Sequence, residues 1–161
     1  MKKRILTTFL AGIFSLSLSI PAGYGNYNAE IYDNAQTFLT EEYSQKNEIR
    51  IYYDQQDENL PETITKVVAD KATFDKAFES FPQEVDFDKK VVILYFYRDI
   101  YWGRSCRIKY MKEQDGKLEI SVNQKTEGCF FRKDGTPPKK RCLAIVMDKT
   151  EIDTVDFIIN Y

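Results

Sequence analysis

The alternation of apolar and polar residues along this chain predicts a protein built mainly from β-strands. Residues 48–54 (EIRIYYD) alternate with the period of a half-buried strand, and residues 62–69 (ETITKVVA) do so with one slip. Residues 91–97 (VVILYFY) are seven apolar or aromatic residues in a row, which favours a central strand buried on both faces. Apolar segments at residues 142–147 (CLAIVM) and 155–159 (VDFII) predict two more strands.

One segment has helical spacing instead. Its apolar residues recur every three or four positions and form one face of a short helix: Phe74, Ala77, Phe78 and Phe81. Asp70 is predicted to be the N-cap and Pro82 to end the helix. We expect the phenylalanine rings to pack on the sheet. Residues 35–45 carry a weaker helical pattern.

A hairpin is predicted around residues 106–122, where two apolar triplets alternate with polar residues. If both triplets face the same core, Ile108 pairs with Val122. Tyr110 then lies opposite Ile120, and residues 114–116 form a three-residue loop. Gly116 would take the left-handed position of that loop, which glycine adopts without steric cost.

The whole pattern contains about seven strands, one clear helix and no strand–helix–strand alternation. It therefore indicates an α+β fold, a curved antiparallel sheet of about seven strands with one short helix packed on it. Residues 26–161 have the length of a single domain.

The first 25 residues have the features of a bacterial secretory signal peptide. The start (MKKR) is cationic, residues 5–20 are apolar with only Thr and Ser interruptions, and a proline with small residues follows. This run is shorter than the roughly 20 residues of a membrane span, so we expect no transmembrane segment in the mature protein. Cleavage after Ala22 and cleavage after Gly25 both fit. The expected destination is outside the cytoplasm, with the periplasm favoured and an extracellular location open.

Charge is unevenly distributed along the chain. Residues 26–88 contain 15 acidic and 5 basic side chains, whereas residues 98–141 contain 12 basic and 6 acidic ones. Two interpretations stay open: uneven scatter of surface charge, or a basic end that meets an acidic surface. The basic excess is too small for a dedicated nucleic-acid-binding protein, so no nucleic-acid partner is expected.

The chain contains no histidine, which excludes Ser-His-Asp and Cys-His catalytic pairings. It also contains no nucleotide-binding, zinc or calcium motif. We therefore expect a protein without catalytic residues, metal or cofactor. The acidic residues lie in polar segments, whereas a carboxylate pair that catalyses hydrolysis needs one desolvated member.

Three cysteines in an exported chain predict one disulfide and one remaining thiol. In the predicted register a straight strand places Cys129 about 16 Å from Cys106, whereas a disulfide needs Cα atoms within about 7 Å. A Cys106–Cys129 bond is therefore disfavoured unless Gly128 turns the chain back. Cys129 and Cys142 flank the loop that contains residues 134–138 and could face each other across a ribbon, so the favoured pairing is Cys129–Cys142, with Cys106 as a buried free thiol. A Cys106–Cys142 bond and three reduced cysteines remain open alternatives.

Two segments are candidates for binding a partner. Residues 100–105 (IYWGRS) contain Tyr101, Trp102 and Arg104, residue types that often anchor interfaces. Residues 132–141 (RKDGTPPKKR) form a predicted stiff cationic loop with the five basic residues Arg132, Lys133, Lys139, Lys140 and Arg141. Alternatively, Tyr101 and Trp102 close one end of the core and the basic residues are merely solvated.

The order of elements from about residue 67 to residue 159 resembles the PrcB C-terminal-like domain. The residues that carry the resemblance are DKATF at 70–74, VDFDKK at 85–90 and the hairpin turn DGKL at 115–118. This domain occurs in secreted bacterial proteins and is named after a subunit of a surface protease complex. The family usually has a Thr-Gly-Gly-Tyr-Ser-like loop where this chain reads YWGRS at 101–105, and only Gly103 and Ser105 match it. The resemblance implies a non-catalytic partner of an exported protease.

The function expected from the sequence is thus an exported, non-catalytic protein-binding domain that stabilises or modulates a partner, with an extracytoplasmic protease as the implied partner. One alternative is a protease inhibitor that presents residues 102–105 as a loop, with Arg104 aimed at a trypsin-like site. Another is a small carboxylate-dependent hydrolase of an envelope polymer.

Overall fold

The computed structural model describes residues 27–52, 58–99, 104–126, 138–152 and 154–160. Within these ranges the chain forms seven strands in two sheets, so the predicted α+β class is confirmed. The strands are β1 Glu30–Tyr32, β2 Ile64–Val68, β3 Lys90–Asp99, β4 Arg104–Gln114, β5 Lys117–Thr126, β6 Lys139–Asp148 and β7 Thr154–Asn160. The helices are α1 Glu41–Lys46 and α2 Lys71–Ala77, preceded by a 3₁₀ turn at Ala35–Thr37.

The strands divide between two sheets, whereas the sequence predicted one. The first sheet has the order β1-β6-β3-β2 and is antiparallel throughout. The second has the order β4-β5-β7, and its β5–β7 pair is parallel. Parallel neighbours need a long crossover connection. The chain supplies one because β6, in the first sheet, lies between β5 and β7 in sequence.

Strand β3 is central and buried on both faces, as its unbroken apolar sequence predicted. Its odd-numbered residues, such as Ile93, pack against the second sheet, whereas even-numbered residues such as Leu94 and Phe96 pack against α2 and the segments around it. All three side chains are fully buried. The molecule therefore has three layers: a helical layer, the four-stranded sheet and the three-stranded sheet.

Helix α2 begins where the sequence predicted it and ends earlier. Asp70 Oδ1 accepts a hydrogen bond from the Thr73 backbone N–H at 2.8 Å, which confirms the N-cap and lowers the pKa of Asp70. The helix stops at Ala77, ahead of Pro82, because Phe78 adopts an extended backbone and bridges to Leu39. The predicted phenylalanine face still forms, with the Phe74 and Phe78 rings 4.7 Å apart.

The prediction of a strand at residues 48–54 is wrong for the residues that the structure describes, since residues 48–52 lie outside every strand. Ile49 is buried in the helical layer, so its apolar character reflects core packing without a sheet partner. Conversely, β1 was not predicted. Its three residues are too few to show a period, and its pairing with β6 defines it.

The β4–β5 hairpin follows the predicted register at one end only. Ile108 pairs with Val122 as predicted, but a β-bulge then shifts the register so that Tyr110 faces Ser121. The turn has two residues, Asp115 and Gly116, both with positive φ, whereas three were predicted. Asp-Gly favours the two-residue type I′ turn, and the bulge compensates for the shorter loop.

Replacing Gly116 with alanine is expected to lower the free energy of unfolding by about 1 kcal/mol, because a side chain is disfavoured at its φ of 75°. Urea denaturation of the variant tests this, with Lys112→Ala on the exposed side of β4 as the control. Unchanged stability of Gly116→Ala would contradict the assigned turn.

Candidate functional site

The two segments predicted to bind a partner are anchored at the same end of the sandwich. Asp99, the last residue of β3, pairs with Lys139, the first residue of β6. Arg104, the first residue of β4, pairs with Thr126, the last residue of β5. Residues 100–103 connect Asp99 to Arg104, and the connection from Thr126 to Lys139 joins the other two strand ends. We call the end formed by these four residues and their neighbours the loop end.

Four of the predicted binding residues lie outside the described residues: Tyr101, Trp102, Arg132 and Lys133. Their role stays a prediction. Arg104 and Ser105 were expected in an exposed loop but are the first two residues of β4, paired with Thr126 and Lys125. The inhibitor alternative therefore loses the loop geometry that it required for Arg104.

Lys140 holds the helical layer onto the sheet. Its Nζ donates hydrogen bonds to the backbone oxygens of Ser44, at 2.5 Å, and Asn47, at 3.4 Å. A cation at this position satisfies carbonyl groups at the C-terminal end of α1 and interacts favourably with the helix dipole. Partial burial lowers the pKa of Lys140. The sequence predicted this lysine as a binding residue, and the structure gives it an internal contact.

Arg141 also has an internal partner. Its Nε lies 3.0 Å from Asp99 Oδ2, with side-chain exposures of 12% and 1% respectively. The two atoms are close but are not aligned for a hydrogen bond, so the attraction between the two side chains is electrostatic. Since Asp99 faces Lys139, two residues from Arg141, the pair links β3 to β6 diagonally. Of the three basic residues at the start of β6, only Lys139 is exposed.

Two further arginines lie at the loop end and were not predicted as site residues. Arg98 Nη1 donates to the Ile51 backbone oxygen at 3.4 Å, and Arg50 Nη2 donates to the Glu58 backbone oxygen at 2.7 Å. Both line a cavity of about 130 Å³. They are far apart in sequence, and no motif joins them, so only the fold brings them together.

The described cysteines are buried thiols on opposite faces of the first sheet. Cys106 packs between the sheets, with Sγ 3.8 Å from Tyr97 Oη, whereas Cys142 packs in the helical layer. A Cys106–Cys142 disulfide is therefore excluded. Burial raises the pKa of the Cys142 thiol. Cys129 lies outside the described residues, so the Cys129–Cys142 pairing stays a prediction.

Among the residues that the structure describes, no group of three or more His, Cys, Asp or Glu side chains is arranged to hold a metal ion. No helix in this part of the chain is long and apolar enough to cross a bilayer.

Comparison with models of protein families finds no match to this chain, and searches of curated proteins and of solved structures find none either. The resemblance to the PrcB C-terminal-like domain stays a prediction.

Proposed function

We propose that this chain is an exported, non-catalytic domain that binds a protein partner through its loop end. The main support for the proposal is that the two segments predicted to bind a partner are both attached to strands that end at the loop end. Asp99, Arg104, Thr126 and Lys139 place both segments on paired strand ends. Connections presented by a rigid sheet are frequent binding elements.

The charge of the loop end favours an acidic partner surface. Arg50, Arg98 and Lys139 lie there, and residues 98–141 as a whole contain 12 basic and 6 acidic side chains. Complementary charge speeds encounter and selects the partner.

The described residues favour a binding role over acid–base catalysis. Asp99 is the buried carboxylate of this part of the chain, and Arg141 holds it in an ion pair. This carboxylate has a partner within the chain, whereas acid–base catalysis by a carboxylate pair requires two carboxylates in different environments. The absence of histidine from the sequence removes the commonest alternative base.

The predicted signal peptide supports export, with the periplasm as the favoured destination. The resemblance to the PrcB C-terminal-like domain suggests an exported protease as the partner, which this domain would stabilise or modulate.

Capture of the partner from an envelope fraction tests the proposal. The tagged mature domain is expected to retain a specific protein, and Trp102→Ala is expected to reduce the captured amount about tenfold or more, because buried tryptophans often dominate interfaces. Lys139→Glu should also reduce capture, since it reverses a charge at the loop end.

The matched control is Lys112→Glu, which reverses an exposed charge near the opposite end of β4. Capture that is equal for Lys139→Glu and Lys112→Glu, or the absence of any captured protein, would contradict the proposal.

A further inference from the structure

Strand β7 lies at an edge of the second sheet. In the described part of the chain its paired neighbour is β5, on one side. Both ends of the strand are fastened to the β4–β5 hairpin: the Thr154 backbone N–H donates to the Gly116 backbone oxygen at 3.4 Å, and Asn160 Nδ2 donates to Ser121 Oγ at 2.7 Å. The strand is therefore held extended, with its second backbone edge directed away from β5.

The other three sheet edges of the described chain carry features that hinder pairing with a further strand. Strand β1 has three residues, and β2 has five, with the exposed Lys66 at its centre. Strand β4 contains the bulge, and its Cys106 N–H donates to Asp33 Oδ2 at 3.3 Å. Strand β7 has seven residues without lysine, arginine or proline, and its one charged residue, Asp156, is paired with Lys117 at 2.6 Å. Of the four edges, β7 is the best suited to accept a strand.

The side chains of β7 that face the layer between the sheets are apolar and only partly buried. They are Val155, Phe157 and Ile159. The residues opposite them in β5 are fully buried: Leu118, Ile120 and Val122. Across the layer, Val67 of β2 pairs with Ile93 and is 45% exposed. A strand added beside β7 would therefore cover apolar surface with every second side chain.

We propose that the protein partner binds as an extended segment that adds a fourth strand to the second sheet, beside β7. The inference rests on the proposed function and specifies how the partner is recognised. A row of backbone N–H and C=O groups is matched by another extended backbone, and alternate side chains of the added strand give specificity. The segment that fits has apolar residues at every second position and contains no proline.

The position of β7 favours a partner strand over a second copy of this chain. Asn160, the last residue of β7, pairs with Asn123 in the half of β5 that leads to the loop end, so a partner bound there can continue along β7. A two-fold dimer through β7 would instead place the two loop ends at opposite ends of the strand pair. A strand of this length spans about 24 Å, and its edge alone offers less area than the roughly 1,200 Å² of a stable interface.

Titration with defined peptides, followed by nuclear magnetic resonance, tests the strand directly on the mature protein. The probe is acetyl-EVTVTVE-amide, in which valines alternate, and the control is acetyl-EVTPTVE-amide, in which a central proline prevents continuous pairing. The alternating probe is expected to shift the amides of β7 in a saturable manner and to slow hydrogen exchange at every second residue of the strand. Equal binding of both peptides, or no saturable shift in β7, would overturn the inference.

A lysine on the edge strand sharpens the titration. Ile158 is 39% exposed, so Ile158→Lys should leave the core intact. It is expected to weaken probe binding about tenfold, because a charge on an edge strand hinders pairing. The matched control is Gln114→Lys, which adds the same charge to the exposed end of β4, at the other edge of the sheet. Binding to Ile158→Lys as tight as to Gln114→Lys would contradict the proposal.

The outcome is separable from that of the proposed function. If Lys139→Glu reduces capture of a partner but Ile158→Lys does not, strand addition is wrong and binding at the loop end stands. If no partner is captured, the proposed function fails, while the peptide titration still decides whether β7 accepts a strand. A dimer of the wild type in sedimentation that Ile158→Lys abolishes would assign the edge to a second copy and overturn the partner strand.

Discussion

Replacing either Ile93 or Leu94 with alanine is expected to lower the free energy of unfolding by about 2–5 kcal/mol. The two residues are adjacent in β3 and point in opposite directions, Ile93 into the layer between the sheets and Leu94 into the helical layer. Both are fully buried, so each truncation leaves a cavity in a different core. In a strand with one solvated face, only one of two neighbouring substitutions would have a large effect.

Urea denaturation of the two variants measures this, with Lys66→Ala in the exposed part of β2 as the control. A loss of less than about 0.5 kcal/mol for either variant, the range typical of surface changes, would contradict the three-layer arrangement.

Replacing Arg141 with methionine is expected to lower the free energy of unfolding by about 3–5 kcal/mol, because the change removes the Arg141 ion pair from the buried carboxylate of Asp99. The effect should be accompanied by faster hydrogen exchange at the paired ends of β3 and β6, where the ion pair lies.

The double variant Asp99→Leu/Arg141→Met separates the cost of breaking the buried ion pair from the net contribution of the pair to stability. It is expected to recover most of the lost stability, since a buried ion pair contributes little relative to apolar residues of similar volume. Lys139→Ala, the exposed neighbour, should have little effect on unfolding. If Arg141→Met were as stable as Lys139→Ala, Arg141 would not have the internal role assigned to it.

Elements defined by local patterns were predictable from the sequence. The unbroken apolar run at residues 91–97 predicted a doubly buried strand, and Asp70 predicted the start of α2. The predicted hairpin register was correct at Ile108 but wrong beyond the bulge, because the prediction assumed two strands that pair residue by residue without an interruption. The division into two sheets was not predictable, since it depends on which strands pair across long separations.

The sequence predicted which segments form the candidate site, but it did not predict the roles of their side chains. The basic sequence at 139–141 predicted a cationic surface, yet Lys140 and Arg141 have partners contributed by α1 and by β3. Burial of a charge depends on residues far away in sequence, which composition does not reveal. Arg50 and Arg98 were missed for the same reason, because only the fold places them around one cavity.

The central claim is that a protein partner binds at the loop end, and site-specific photocrosslinking tests it most directly. A photoreactive amino acid is placed at Lys139 in one variant and at Lys112 in the other, both exposed and at opposite ends of the sandwich. Irradiation in the exporting cell is expected to yield a discrete crosslinked protein from position 139 and none from position 112. Equal crosslinking from both positions, or a product from position 112 alone, would contradict the claim.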